Sequence, residues 1–200
     1  MNDKANGEIG GDFSQKNAQN KRRGNLWAHS AKECAYLAVF IALLIGIQLA
    51  LSAVPGVELV TLLFVAYAFV FGICRGTLAA TAFSLLRQLI FSFSPTVLVL
   101  YLVYYNFLTA VFGGFGHMVK RPLVCLWWLT LAACICTVCF TMLDNVITPL
   151  WLGFSERAWR AYFYASLSFM IPQVICTAVT VGILFYPLQR VFRLIKRGLQ

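Results

Sequence analysis

The chain has 200 residues, of which 60% are hydrophobic and only 12% are charged, and its formal net charge is +9. Its apolar residues form continuous runs instead of the alternating faces of soluble helices and strands, which excludes an ordinary soluble domain. Six such runs follow one another and are interrupted mainly by short Gly, Pro and charged connections. The sequence therefore predicts an all-α membrane protein, with six transmembrane helices in a compact bundle.

Residues 1–30 precede the first apolar run and are rich in Asn, Gln, Gly and Lys. Such a segment cannot bury enough apolar area to fold alone, so we expect a disordered, basic cytoplasmic tail. It contains no apolar stretch of its own, so we expect no cleaved signal peptide, and the first helix then acts as an uncleaved signal anchor.

The six helices are predicted, in chain order, at 33–54, 57–72, 74–93, 95–112, 123–143 and 159–186. Pro95 suits the first turn of the fourth helix, which is expected to end before Gly113, Gly114 and Gly116. The sixth helix is the longest and contains Pro172, whose missing amide hydrogen predicts a kink.

Basic residues near the helix ends predict the orientation, because they remain on the cytoplasmic side. With the N-terminus inside, only Arg157 and Arg160 lie near outer ends. The cytoplasmic ends then carry Lys21, Arg22, Arg23, Lys32, Arg75, Lys120, Arg121, Arg190, Arg193, Lys196 and Arg197. Both termini are predicted to be cytoplasmic, with the bundle at 31–190 and a basic C-terminal end at 191–200. These basic ends favour anionic membrane lipid as a partner over nucleic acid.

The sequence predicts neither an enzyme nor a metal or cofactor site. Three of the seven cysteines, Cys134, Cys136 and Cys139, lie close together, but their helical spacing points them in different directions. No His or carboxylate in that stretch completes a tetrahedral shell, and buried reduced thiols explain these cysteines. His29 and His117 have no nucleophile at a suitable spacing, and no phosphate-binding glycine motif is present.

Polar residues in the outer half of the membrane predict where a substrate binds. Each polar side chain there costs free energy unless it faces the bundle interior or a water-filled cavity. Arg87 and Gln88 lie in the outer half of the third helix. Glu58 opens the second helix, where it binds substrate, complements the helix dipole or pairs with Arg87. The predicted substrate-binding residues are Glu58, Arg87, Gln88, Tyr101, Tyr104, Tyr105, Asn106 and Gln173.

The three tyrosines of the fourth helix share one face, and at least one is expected to point its hydroxyl into a cavity, with aromatic core packing as the alternative. In the sixth helix, Ser166, Met170, Gln173 and Thr177 form one stripe, of which Gln173 is the strongest polar candidate. The connection at 144–158, with Asn145, Trp151 and Phe154, is interpreted either as a lid over the cavity or as a bare surface loop.

The first helix carries a ladder of small residues at Ala38, Ala42, Gly46 and Ala50, each four residues after the last. Membrane helices gain little hydrophobic energy by meeting, so small side chains that allow close backbone approach favour association. The ladder therefore predicts a partner-docking face at Ala38, Ala42 and Gly46.

The run PGVELVTLLFVAYAFVFG at 55–72 resembles the start of the second helix in substrate-binding subunits of energy-coupling-factor vitamin transporters. Ala38 and Ala42 match the Ala-x-x-x-Ala docking motif in the first helix of that family, and Ala31 with Ala35 forms a second copy. The resemblance covers residues 33–193. It implies a multi-pass subunit of an ATP-binding-cassette importer in a bacterial plasma membrane, which captures a vitamin or related micronutrient at its outer face.

The family also implies the partners, namely a transmembrane scaffold subunit, which the first helix contacts, and two cytoplasmic ATPases. The substrate stays open, although the aromatic content favours a flat heterocycle and Arg87 suits a carboxylate or phosphate. The alternative is a stand-alone secondary transporter of a small organic solute, which would normally show internal repeats and a membrane-embedded coupling acid. An intramembrane enzyme and an assembly protein that uses only the small-residue ladder are further alternatives.

Overall fold

The computed structural model describes residues 31–52, 59–91, 93–119 and 126–199, and this part of the chain is all-helical, as predicted. The helices are α1 (Ala31–Leu51), α2 (Leu59–Phe71), α3 (Ile73–Phe91), α4 (Pro95–Met118), α5 (Leu126–Leu152) and α6 (Glu156–Leu199).

Four of these helices, α1, α4, α5 and α6, are long and apolar enough to cross a membrane. The 13 residues of α2 extend about 20 Å and the 19 residues of α3 about 28 Å. Exposed tryptophans mark both ends of α5, with Trp127 and Trp128 at its start and Trp151 near its end. These positions are separated by about 35 Å along the helix, which is the spacing of the two aromatic belts of a membrane protein.

The described residues belong to two compact units, 31–40 with Leu199 in one and 41–198 in the other. The first unit contributes the N-terminal half of α1, which is helical throughout. The packing and the cavities described below lie within the second unit.

The centre of the second unit is α2, in which every residue from Val60 to Phe71 is buried. It packs against α3 and α4. Aromatic rings make much of this contact, since Phe64 lies 5.3 Å from Phe83 of α3 and 4.6 Å from Tyr105 of α4, measured between ring centroids. The ring of Phe69 meets Phe185 of α6 at 5.4 Å. A helix that is apolar on all sides is thus fully enclosed by protein.

The helices run in alternating directions through this unit. Gln48, near the end of α1, donates a hydrogen bond to Tyr101, near the start of α4. Lys196, near the end of α6, donates to the carbonyl oxygen of Val70, near the end of α2, at 2.6 Å. We call the end of the unit at which α1, α3 and α5 finish and α2, α4 and α6 begin the upper end, and the opposite end the lower end.

The predicted end of α4 before its glycines is wrong, because the helix continues to Met118. Gly113 and Gly116 serve close helix packing instead. A Cβ atom on Gly116 would lie 2.2 Å from the carbonyl oxygen of Phe69 in α2, and one on Gly113 would lie 2.8 Å from the backbone nitrogen of Ile73 in α3. Only glycine allows the backbones to approach this closely.

Two further helix ends differ from the sequence prediction. The fifth helix extends to Leu152, so most of the expected connection at 144–158 is helical, and its interpretation as a lid or a loop is wrong. The sixth helix starts at Glu156 and continues through Pro172 and Pro187 to Leu199. Hydropathy falls after Tyr186, but the helix persists because its buried stripe continues through Gln189 to Phe192.

Candidate functional site

A cavity of about 320 Å³ lies at the upper end of the bundle, where four helices meet. We call it the Arg87 cavity. The end of α1, the start of α2, the end of α3 and the first half of α4 contribute its lining residues, which are Gln48, Leu51, Ser52, Val60, Arg87, Phe91, Tyr101 and Tyr105.

The guanidinium group of Arg87 is the cavity's charged group. Its Cζ atom lies 4.3 Å from the ring centroid of Tyr101 and 5.0 Å from that of Phe91, so aromatic faces contact it from two residues. Contacts of this kind stabilise a cation by about 0.5 to 2 kcal/mol each. Within the described residues, Arg87 forms no ion pair and its Nε atom is buried without a hydrogen-bond partner. The predicted partner Glu58 lies outside the described residues, so that pairing stays a prediction.

Gln48 is a cavity residue that the sequence analysis did not select. Its Nε2 atom donates a hydrogen bond of 3.0 Å to the hydroxyl oxygen of Tyr101, while its Oε1 atom is buried without a partner among the described residues. A signal was present, because Gln48 is the only side-chain amide in the sequence of α1. An amide in this setting holds Tyr101 in place and leaves an acceptor at the cavity.

Tyr101 and Tyr105 form an aromatic wall of the Arg87 cavity. Their ring centroids are 5.3 Å apart, and Tyr105 in turn contacts Phe83 at 5.4 Å. This wall is backed by the core, since Tyr105 and Phe83 are buried. Rings held in this way offer a rigid apolar surface on which a flat ligand can stack.

Three predicted site residues therefore come together in one cavity, namely Arg87, Tyr101 and Tyr105. The structure does not place Gln88 and Asn106 in it. The Oε1 atom of Gln88 accepts a hydrogen bond from the backbone nitrogen of Ser94, which joins the end of α3 to the residue before α4. The side-chain amide of Asn106 donates to the carbonyl oxygen of Leu102 at 2.8 Å.

The two remaining predicted residues within the described part of the chain lie toward α5. Tyr104 is buried, and its ring centroid lies 4.6 Å from that of Phe140. Gln173 lines a second cavity, of about 220 Å³, between α5 and α6. We call it the Asp144 cavity; its lining residues are Phe140, Thr141, Asp144, Tyr162, Ala165, Ser166, Phe169 and Gln173. Phe140 lies between the two cavities, since its ring also meets that of Tyr101 at 5.9 Å.

A proline in α5 helps to join α5 and α6 beside the Asp144 cavity. Pro149 has no amide hydrogen, so it cannot donate to the carbonyl oxygen of Asn145 one turn earlier. The indole nitrogen of Trp159 in α6 donates to that oxygen at 3.0 Å. Freed backbone groups inside a membrane require such replacement partners. Farther from the upper end, α5 and α6 are also joined by a hydrogen bond of 3.2 Å between the hydroxyls of Thr137 and Thr177.

The small-residue ladder of α1 faces outward. Ala38, Ala42, Gly46 and Ala50 are all exposed, and a Cβ atom on Gly46 would meet no neighbouring atom within 4 Å. Leu43, next to the ladder, is also exposed. In the second unit, Ala42 and Gly46 thus present a smooth apolar surface that the described residues of this chain do not cover, and Ala38 of the first unit is exposed as well.

No protein family, characterised protein or solved structure was found to match this chain.

Proposed function

We propose that the chain is a substrate-capture subunit of an energy-coupling-factor importer, and that it binds a small anionic micronutrient in the Arg87 cavity. The observation that carries this proposal is the setting of Arg87, which lies in a cavity against two aromatic rings and forms no ion pair within the described residues. A cation held in this way is available to a carboxylate or phosphate of the ligand.

The proposed topology has six spans, with both termini in the cytoplasm of a bacterial cell. Although α2 is short, it runs from the upper end to the lower end and is enclosed by protein, so its length need not match the lipid. Arg190, Arg193, Lys196 and Arg197 lie toward the lower end of α6. By the positive-inside rule, these cations favour a cytoplasmic lower end, and in this topology both cavities lie toward the outside.

The proposed ligand has an anionic group and a flat ring. The anionic group pairs with Arg87 and the ring stacks on Tyr101 or Tyr105, with the free acceptor of Gln48 as a further hydrogen-bonding group. The cavity volume of about 320 Å³ is at the lower end of the range for small-molecule sites, which run from about 300 to 1,000 Å³. This size suits a vitamin-like heterocycle better than a peptide or a lipid.

The proposed partners are a transmembrane scaffold subunit and two ATPases. The exposed ladder at Ala38, Ala42 and Gly46 supports docking on the scaffold, because its small side chains allow a partner helix to approach closely. The resemblance of residues 33–193 to the transporter family favours this assembly over a stand-alone secondary carrier, in which the chain would work without partners.

Ligand retention tests the binding part of the proposal. The tagged chain is extracted from native membranes, and the small molecules that copurify with it are identified by mass spectrometry. We expect a retained anionic metabolite with the native chain and loss of at least tenfold with Arg87→Gln, because the charge pairing is removed. Arg75→Gln is the matched control, since Arg75 lies on the same helix at the lower end. Equal retention by the native chain and Arg87→Gln would contradict the assigned site.

A further inference from the structure

The Asp144 cavity has a chemistry that the proposed function does not use. It lies between α5 and α6 and contains the carboxylate of Asp144, two turns before the end of α5, a helix long and apolar enough to cross a membrane. A carboxylate at such a position is costly unless it faces a polar space or a partner.

Both oxygens of the Asp144 carboxylate are held by neutral hydroxyl groups. Oδ1 accepts a hydrogen bond of 2.7 Å from Thr148, and Oδ2 accepts one of 2.6 Å from Tyr162. These bonds fix the orientation of the carboxylate without neutralising it. No Lys, Arg or His among the described residues forms an ion pair with it, and Arg160 at the start of α6 is paired with Glu156 instead.

Three of the eight residues that line the cavity around this carboxylate are aromatic. The rings of Phe140, Tyr162 and Phe169 all line the cavity. Tyr162 is supported from behind by Phe154, at 5.8 Å between ring centroids. The hydroxyl of Ser166, another lining residue, donates to the carbonyl oxygen of Phe163 in its own helix.

A carboxylate beside aromatic rings has the chemistry that recognises an organic ammonium ion. The negative faces of the rings attract the alkyl-substituted cation, and the carboxylate supplies the opposite charge. A bare inorganic cation would instead need a shell of several oxygen ligands. We propose that the Asp144 cavity binds a small quaternary or alkyl ammonium group, held by the carboxylate of Asp144 and by these aromatic rings.

The size of the cavity limits the ligand. A volume of about 220 Å³ corresponds to roughly seven water molecules at about 30 Å³ each. Tetramethylammonium fits this space and carries the proposed chemistry, so it serves as the probe. The neutral alcohol tert-butanol has a similar shape and no charge, and sodium chloride provides an inorganic cation at equal ionic strength.

The test uses the full chain, purified in lipid nanodiscs, with binding measured by calorimetry and by the shift in unfolding temperature. We expect tetramethylammonium chloride to bind and to raise the unfolding temperature, whereas sodium chloride and tert-butanol do not. Asp144→Asn preserves the size of the side chain and should weaken binding at least tenfold. Glu156→Gln removes an exposed carboxylate at the same end, outside the cavity, and should leave binding unchanged.

A second variant keeps the test decisive if Asp144→Asn does not fold. Phe169 is exposed on one side, so Phe169→Leu should fold normally while losing a ring face and weakening binding about fivefold. An equal response to sodium and tetramethylammonium would overturn the proposal, and so would unchanged binding in both variants. Because the assay contains no partner subunit and no anionic ligand, its outcome does not depend on the proposed importer function.

Discussion

The packing of α4 against α2 predicts opposite effects for two alanine substitutions only two residues apart. A Cβ atom on Gly116 would lie 2.2 Å from the carbonyl oxygen of Phe69, whereas Cβ atoms essentially never approach closer than 3.0 Å. The helices must therefore separate by about 0.8 Å, because the contacted atoms belong to the backbone and cannot rotate away. On Gly114, a Cβ atom would meet no neighbour within 4 Å.

The expected magnitude follows from this contact. Overpacking a closely packed interface costs about 1 to 3 kcal/mol. Replacing a helical glycine by alanine gains up to about 1 kcal/mol from helix propensity, and both variants share this gain. The difference between Gly116→Ala and Gly114→Ala therefore isolates the steric term. For a chain of this size, the steric term corresponds to an unfolding temperature roughly 3 to 10 °C lower for Gly116→Ala than for Gly114→Ala.

The assay is thermal unfolding of the purified chain in detergent, followed by tryptophan fluorescence. Both variants are measured beside the native chain under identical conditions. Equal unfolding temperatures for the two variants, or a higher one for Gly116→Ala, would refute the close approach of α4 to α2.

Two other substitutions test the lower end and the outer face. Lys196→Met should lower the free energy of unfolding by about 1 to 2 kcal/mol, because it removes a charged donor from a carbonyl in the last turn of α2. The control in the same unfolding assay is Arg197→Met, because Arg197 is the neighbouring cation and is exposed. A similar loss in both variants would contradict the specific bond to Val70. Ala42→Trp should abolish copurification of the partner subunits without changing the stability of the isolated chain, whereas Leu43→Trp, on an exposed position beside the ladder, should preserve copurification. Loss of partners in both variants, or in neither, would argue against docking through the small-residue ladder.

The sequence was sufficient to predict an all-helical membrane protein and the start of α4 at Pro95, because continuous apolar runs and a proline at the first turn are local features. The sequence was insufficient where tertiary contacts determine the end of a helix or the role of a glycine. Gly113 and Gly116 resemble helix-ending residues in isolation, and only the neighbouring backbones of α2 and α3 show why glycine is needed there. Similarly, α6 continues beyond its apolar stretch because of a stripe that packs against other helices.

The candidate site was predictable in part for similar reasons. The sequence predicts Arg87, Tyr101 and Tyr105 as site residues because polar and amphipathic groups in the outer half of a membrane have few permitted environments. The sequence predicts a connection at Asp144 because the apolar run ends just before it, whereas the helix continues for two more turns. Its pairing with Tyr162 joins residues 18 positions apart in different helices, which sequence spacing alone does not reveal.

Copurification from native membranes tests the proposed importer most directly. The tagged chain is extracted in a mild detergent that preserves a known complex of the energy-coupling-factor type, and the proteins recovered with it are identified by mass spectrometry. The proposal predicts one transmembrane scaffold subunit and two ATP-binding-cassette ATPases. Recovery of the chain alone under these conditions would contradict the proposal and favour a stand-alone carrier.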